Sequence, residues 1–198
     1  MNRINFSLII LVTGLSLLLF ACQQVSEQES AVQTTTESPD PYLAKGKKIA
    51  SSVFTVLSTE VMKSMQASGV AGTVAYCNEQ AYPITDSLAK LYQAHIKRTS
   101  HKVRNPRNAP DSLEAIMLEK YLTLQQKGLE MPPRVVQQGE NVHFFAPIVL
   151  ATPCLKCHGI VGETLNENDL AVIQEHYSED KATGFADGEL RGIWSIRF

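Results

Sequence analysis

Apolar residues return at every fourth position from Tyr42 to Gln66, and this spacing predicts an amphipathic helix. The buried stripe of that helix is expected to contain Ile49, Val53, Leu57, Val61 and Met65. Gly69 interrupts the pattern, so a second helix is predicted over residues 70–81. Pro83 is expected to end the second helix, because proline lacks the amide hydrogen that an interior turn needs.

Shorter helices and a small sheet are predicted in the rest of the chain. The remaining helical patterns lie near 86–95, over 112–126 and over 168–177. Segments whose alternation or β-branched composition predicts strands cover 95–103, 134–138, 141–150 and 190–198. Helices that precede a small antiparallel sheet indicate an α+β fold.

The predicted elements also assign environments to two histidines. His95 falls on the apolar face of the short third helix, where it is expected to be packed. His143 alternates with Val142 and Phe144 in a predicted strand, so it is expected to point to solvent. Neither histidine is predicted to bind a ligand.

Cys154, Cys157 and His158 form the C-x-x-C-H sequence that attaches a c-type haem. The two thiols are spaced to meet the two vinyl groups, and the adjacent histidine reaches the iron from one side. A redox dithiol or half of a zinc site is the alternative. Zinc would need a second C-x-x-C or a C-x-x-H pair, and the sequence contains neither. One covalently attached haem c is therefore expected in the carboxy-terminal third of the chain.

The amino terminus has the composition of an export signal. A mostly apolar run from Phe6 to Phe20 follows a basic residue and is too short to be a comfortable membrane span. The run stops just before Cys22, which predicts a bacterial lipoprotein signal peptide over 1–21 and a lipid on the Cys22 thiol. Cleavage at Ala21 without lipid, or an uncleaved anchor, is the alternative. The protein is expected to be exported and held at a bacterial membrane, in the periplasm or on the cell surface.

The segment that follows the signal is predicted to be a flexible tether over 22–41. Positions 23–41 contain no aromatic and no basic residue, so they cannot bury enough apolar surface to offset their chain entropy. The remaining residues, 42–198, suit one domain of ordinary size. The formal net charge of −2 gives no basic field, so no nucleic-acid partner is expected.

Cys77 has no assigned role among the four cysteines, because Cys22 is predicted to carry the lipid and Cys154 and Cys157 to bind the haem. One possibility is a buried, inert thiol, which is a common fate for a free cysteine. The other is that its sulfur binds the haem iron. The predicted helix over 70–81 places Cys77 on the same face as Val74 and Ala81, so it should face inward.

Several short motifs together make the chain resemble a known family. They are Tyr76-Cys77-Asn78, Arg98-Thr99-Ser100, Arg104-Asn105-Pro106-Arg107-Asn108, Pro147-Ile148 and Cys154-Leu155-Lys156-Cys157-His158-Gly159. Single residues nearer the carboxy terminus complete the set: Tyr177, Asp180, Ala182, Gly184, Gly188, Arg191 and Gly192. The family they resemble is the exported single-haem c-type domain of PAS-like fold. The resemblance implies a PAS-like antiparallel sheet with helices at the amino-terminal side. It also implies that His158 and Cys77 hold the iron as axial ligands.

Three further residues gain candidate roles near that haem. Arg98 and Arg104 can favour the Cys77 thiolate by their positive charge, or they can pair with haem propionates, whose carboxylates match the guanidinium fork. A solvated strand or loop face is the alternative for both arginines. His101 stands where the family tends to have an apolar residue, and its imidazole is a second candidate for the distal ligand.

A single haem with both axial positions filled predicts a membrane-anchored monohaem cytochrome for electron transfer or redox sensing, and not an enzyme. Such a role would need a redox partner protein. The alternative is a sensor or scavenger of NO or CO, in which the bond between iron and Cys77 breaks on reduction. A peroxidase would need an open distal site, with His101 as its acid or base.

Overall fold

A computed structural model describes residues 41–198. The predicted signal peptide over 1–21, the predicted lipid site at Cys22 and positions 23–40 of the predicted tether lie outside the described residues. Within 41–198, no helix is both long and apolar enough to cross a bilayer.

The described residues form an α+β fold in which an antiparallel sheet is covered on both faces. The helices are α1 (Pro41–Tyr92), α2 (Ser112–Gln126), α3 (Leu155–His158) and α4 (Glu167–His176). The strands are β1 (His95–Thr99), β2 (Arg134–Gln138), β3 (Asn141–Val149) and β4 (Leu190–Arg197). All neighbours in the sheet are antiparallel, in the order β1-β4-β3-β2. The predicted class, with helices before a small antiparallel sheet, is confirmed.

Helix α1 folds back on itself at Gly69. This residue has φ 63° and ψ −161°, a left-handed conformation that glycine adopts without steric cost. The Tyr76 hydroxyl donates to a carboxylate oxygen of Glu60 at 3.4 Å, although 16 positions separate the two residues. A straight helix would hold them about 24 Å apart, so residues 41–68 and 70–92 form a helical hairpin. The break predicted at Gly69 is therefore confirmed.

Pro83, in contrast, does not end a helix, and the third helix predicted near 86–95 is a continuation of α1. The missing proline amide deprives the Glu79 carbonyl of its helical donor, but Glu79 is exposed and water can replace that bond. The Thr85 hydroxyl donates to the Ala81 carbonyl at 2.7 Å within the same turn. The prediction was wrong because the free-energy cost of one proline is smaller than the stabilisation that a long helix gains by packing against the rest of the fold.

The hairpin covers one face of the sheet with the apolar stripe predicted for its first half. Ile49 and Val53 are buried against Phe144 and Ile196 of the two central strands. Ile84, Leu88 and Tyr92 of the second half pack against the same cluster. A Cβ at Gly46 would lie 2.2 Å from the Phe144 ring, so the glycine permits this close approach. The stripe predicted farther along, at Val61 and Met65, is only half-buried.

Helix α2 covers the opposite face. Met117, Leu118 and Tyr121 pack against Phe145 and Ile193, which alternate with the residues that face the hairpin. The helix begins at the predicted place, because the Asp111 and Glu114 side chains form a reciprocal capping box.

The two histidines with predicted environments both differ from expectation. His95 is exposed, because it begins strand β1 instead of ending a helix. His143 is buried, with 9% of its surface exposed, and stacks on Phe145 at 6.1 Å between ring centroids. The prediction for His143 failed because β3 is a central strand whose two faces are both covered.

Candidate functional site

The C-x-x-C-H sequence begins at Cys154, the last residue of a tight turn at Thr152–Cys154 after strand β3, and continues through the short helix α3, which contains Cys157 and His158. Cys154 is exposed and Cys157 is half-buried. Neither forms a disulfide, so both thiols are free for chemistry. The Gly159 amide donates to the Leu155 carbonyl at 2.8 Å and closes the helix directly after His158.

The imidazole of His158 is held in one orientation and one tautomer. Its Nδ1 lies 2.7 Å from the carbonyl oxygen of Ala182. A carbonyl can only accept, so Nδ1 carries the proton and Nε2 keeps its lone pair. Burial, followed by the nearby charges of Arg191 and Arg104, holds the pKa of His158 well below its usual value. The result is a neutral imidazole with Nε2 available to bind a metal.

Arg104 contacts the same helix from a buried position. Its Nη2 donates to the Cys157 carbonyl at 2.5 Å, and its Nε and Nη2 pair with the Asp180 carboxylate at 3.2 and 3.1 Å. The solvated loop face considered for Arg104 is therefore wrong, since its side chain is only 14% exposed. The edge of the guanidinium formed by Nε and Nη2 is already occupied by a carboxylate and is not available to a second one.

Cys77, on the second half of the hairpin, is half-buried beside the haem-attachment sequence. Burial raises the pKa of its thiol, and the positive charges of Arg98 and then Arg104 oppose that rise. Cys157 and Tyr177 also interact electrostatically with Cys77. The structure thus brings together a thiol from the start of the domain and the C-x-x-C-H turn from its end.

Arg98, on strand β1, belongs to the same cluster of side chains. Its guanidinium is near Cys77, Tyr82 and Tyr177, and burial lowers its pKa. Within the described part of the chain it makes no hydrogen bond and no ion pair. The Arg98 side chain is half-buried, and a guanidinium partly withdrawn from water without an anion is destabilised. This part of the site is therefore suited to a negatively charged ligand.

Arg191 is a site residue to which sequence analysis gave no role. Its Nη1 donates to the Ser100 hydroxyl and the Lys102 carbonyl at 2.7 and 2.9 Å, while its Nε is buried without a partner. Burial, followed by repulsion from Arg104, lowers its pKa to about 10. A signal was present in the sequence, since Arg191 is one of the residues that carry the family resemblance.

His101 lies on the outer side of the site and is exposed. Its ring meets the edge of Phe185 at 5.8 Å, and Phe185 in turn meets His158 at 6.4 Å. Partial burial and the charges of Lys102 and Arg191 lower the pKa of His101. The groups that surround His101 are Phe185, Lys102, Arg191 and Glu189.

This combination of groups fits a haem. It supplies two free thiols on a C-x-x-C-H turn, a neutral imidazole, a third sulfur and a cluster of arginines. The three arginines outnumber the carboxylates that act on them or on Cys157, Asp180 and Asp169, so the site has positive charge to offer two propionates. Within residues 41–198, this site included, no group of three or more His, Cys, Asp or Glu side chains is arranged to hold a bare metal ion.

Comparison with known proteins identifies one family and one similar structure. The model of the Tll0287-like family matches residues 20–198. The crystal structure of the cyanobacterial heme-protein Tll0287 superposes with a TM-score of 0.55, at 22% sequence identity, over 82% of this chain and 96% of that one. No curated protein sequence matches significantly. At that identity the structural similarity concerns the fold.

Proposed function

The chain belongs to the Tll0287-like family, and from this membership and the geometry of the site we propose that it is a single-haem c-type cytochrome. When bound, the haem supplies a one-electron iron couple. The observation that carries the proposal is the hydrogen bond from His158 Nδ1 to Ala182, which leaves Nε2 as a preformed iron ligand beside two free thiols.

Cys154 and Cys157 are proposed to attach the cofactor. Each thiol adds across one vinyl group, sulfur to one carbon and hydrogen to the other, so no atom is lost. The exposure of Cys154 and the half-burial of Cys157 support this role, because the turn then presents one sulfur at the surface and one at the pocket.

His158 and Cys77 are proposed as the axial ligands. The support for Cys77 is its position beside Cys157 and the two arginines whose charges favour its thiolate. Arg98, which has no anionic partner among the described side chains, is the arginine best placed to pair with a propionate. Arg104 is assigned instead to holding the attachment turn through the Cys157 carbonyl.

The proposed Cys77 thiolate favours a low reduction potential, because a thiolate ligand stabilises ferric iron whereas a methionine ligand would destabilise it. A closed, six-coordinate iron suits electron transfer or redox sensing, so we propose no enzymatic activity. We further propose that the protein is exported, anchored to a bacterial membrane through Cys22, and served by a redox partner protein.

Haem attachment is the first thing to test. Protein matured in cells that make cytochromes c is expected to be coloured and heavier than its polypeptide by one haem. The double substitution Cys154→Ser with Cys157→Ser should remove the covalent haem, as measured by mass spectrometry after denaturation. The single variant Cys77→Ser is the matched control and should keep it. A colourless wild-type protein of polypeptide mass would overturn the proposal.

A second candidate is a sensor or scavenger of NO or CO. It is favoured by the burial of Cys77, which raises the pKa of the thiol and so favours a protonated, dissociating ligand. Adding CO to the dithionite-reduced protein separates the two functions. An electron carrier should keep its spectrum, whereas a gas sensor should form a CO complex at low micromolar CO.

A further inference from the structure

A buried ion pair stands directly behind the proposed haem ligand. The side chains of Arg104 and Asp180 are only 14% and 1% exposed, and they meet at 3.1 Å. Removing two charges from water is costly unless their remaining hydrogen-bonding groups are satisfied. The partners that satisfy this pair are informative, because several of them belong to the backbone around His158.

The Asp180 carboxylate fixes the position of Ala182. Its Oδ1 accepts from the Ala182 amide at 2.8 Å, and the carbonyl of the same residue receives the Nδ1 proton of His158 at 2.7 Å. The Asp180 carboxylate thus holds Ala182 by its amide, while the carbonyl of Ala182 orients the imidazole of His158. Arg104 fixes Asp180 in turn, and it also binds the carbonyl of Cys157.

The surrounding backbone leaves this arrangement little freedom. The Gly184 amide donates to the Gly159 carbonyl at 2.8 Å, and the Phe185 amide donates to the His158 carbonyl at 3.0 Å. The segment 182–185 therefore runs beside the attachment turn and is tied to it on both sides of the imidazole.

We propose that Asp180 and Arg104 are positioning residues that hold the Ala182 carbonyl against His158 and thereby set the orientation and donor strength of the imidazole toward iron. The proposal rests on the proposed ligation of iron by His158. A hydrogen bond from the second ring nitrogen to a fixed acceptor fixes the tautomer of a ligating histidine and raises its basicity. A more basic imidazole stabilises ferric iron over ferrous iron, so weakening this support raises the reduction potential.

The ion pair would have a different signature if its role were only structural. Its loss would then lower the unfolding temperature and leave the ferric spectrum and the potential of the folded protein unchanged. If the ion pair has a positioning role, its loss changes the ferric spectrum and the reduction potential of protein that remains fully folded and fully loaded with haem.

The test compares haem-loaded variants by potentiometry and by EPR of the ferric state. Asp180→Ala removes every bond of the carboxylate and should shift the ferric-ferrous equilibrium toward ferrous iron by on the order of tenfold. For one electron this equals a rise of about 59 mV. Asp180→Asn keeps an acceptor for the Ala182 amide but loses the charge, so its shift should be smaller and of the same sign. Arg104→Lys, which loses the fork, should also raise the potential.

Glu179→Gln is the matched control, since it removes the same charge one position away from an exposed side chain. It should leave both the potential and the EPR spectrum unchanged. Asp180→Asn and Arg104→Lys proteins with the wild-type potential and spectrum would overturn the positioning role while leaving the haem assignment intact. A wild-type protein without haem would overturn the proposed function itself, so the two failures are distinguishable.

Discussion

Replacing Cys77 with alanine is expected to convert low-spin ferric iron to high-spin iron and to raise its reduction potential. The thiolate is the proposed strong-field donor on one face, and alanine offers no atom that can replace it. Axial ligands shift haem potentials over about 0.8 V, so the loss of this one should raise the potential by on the order of 0.1 V or more. Optical and EPR spectra of the ferric protein, with a redox titration, measure both effects.

The vacated position should also admit an external ligand. Reduced Cys77→Ala protein is expected to bind CO even if the wild type does not. Asn78→Ala is the matched control, because it alters the exposed neighbour on the same helix and should leave both spectra unchanged. A ferric spectrum identical to that of the wild type in Cys77→Ala would show that sulfur does not ligate the iron.

Replacing His158 with glycine should have the second large effect, by removing the nitrogen ligand while both thioether links remain. The ferric protein is expected to lose its low-spin spectrum. Added imidazole should restore it, since the deleted side chain leaves space beside the Ala182 carbonyl that held it. The recovery is measured as a change in the Soret band with imidazole concentration.

His101→Ala is the matched control for this experiment, because it removes a histidine that is exposed and lies beyond Phe185. Its spectra should match those of the wild type. Conversion to high-spin iron in His101→Ala, with retention of low-spin iron in His158→Gly, would exchange the roles of the two histidines.

Much of the fold could be predicted because its signals are local. The apolar stripe with Ile49 and Val53 and the left-handed glycine at Gly69 depend on neighbours in sequence. The family, recognised from the motifs, is confirmed by the match over 20–198. The failures at Pro83 and His143 share a cause, because each depends on tertiary context. Solvent replaces a helical donor near Pro83, and a central position in the sheet buries His143.

The attachment turn was visible in the sequence for the same reason, since its thiols and histidine are contiguous. The residues that support it belong to the resemblance, but their pairing was not visible. Arg104 meets Asp180 across 76 positions, and Arg191 meets Ser100 across 91, and no periodicity connects such pairs. The pairing of Arg104 with a propionate, considered from the sequence, did not account for the carboxylate of Asp180, which already pairs with Nε and Nη2 of Arg104.

The helical hairpin that turns at Gly69 has a consequence for cohesion. It returns Cys77 to the attachment turn, although Cys77 and His158 lie roughly 80 positions apart in the sequence. Ligation of one iron by both residues would close a loop comparable to those closed by stabilising disulfides. In the chain-entropy model such a loop closure stabilises the folded state by about 4 kcal/mol. As with a disulfide, this link would open when one bond is lost, here the bond between iron and sulfur. The oxidation state of the iron would then set how strongly the helical hairpin is held to the carboxy-terminal third of the domain.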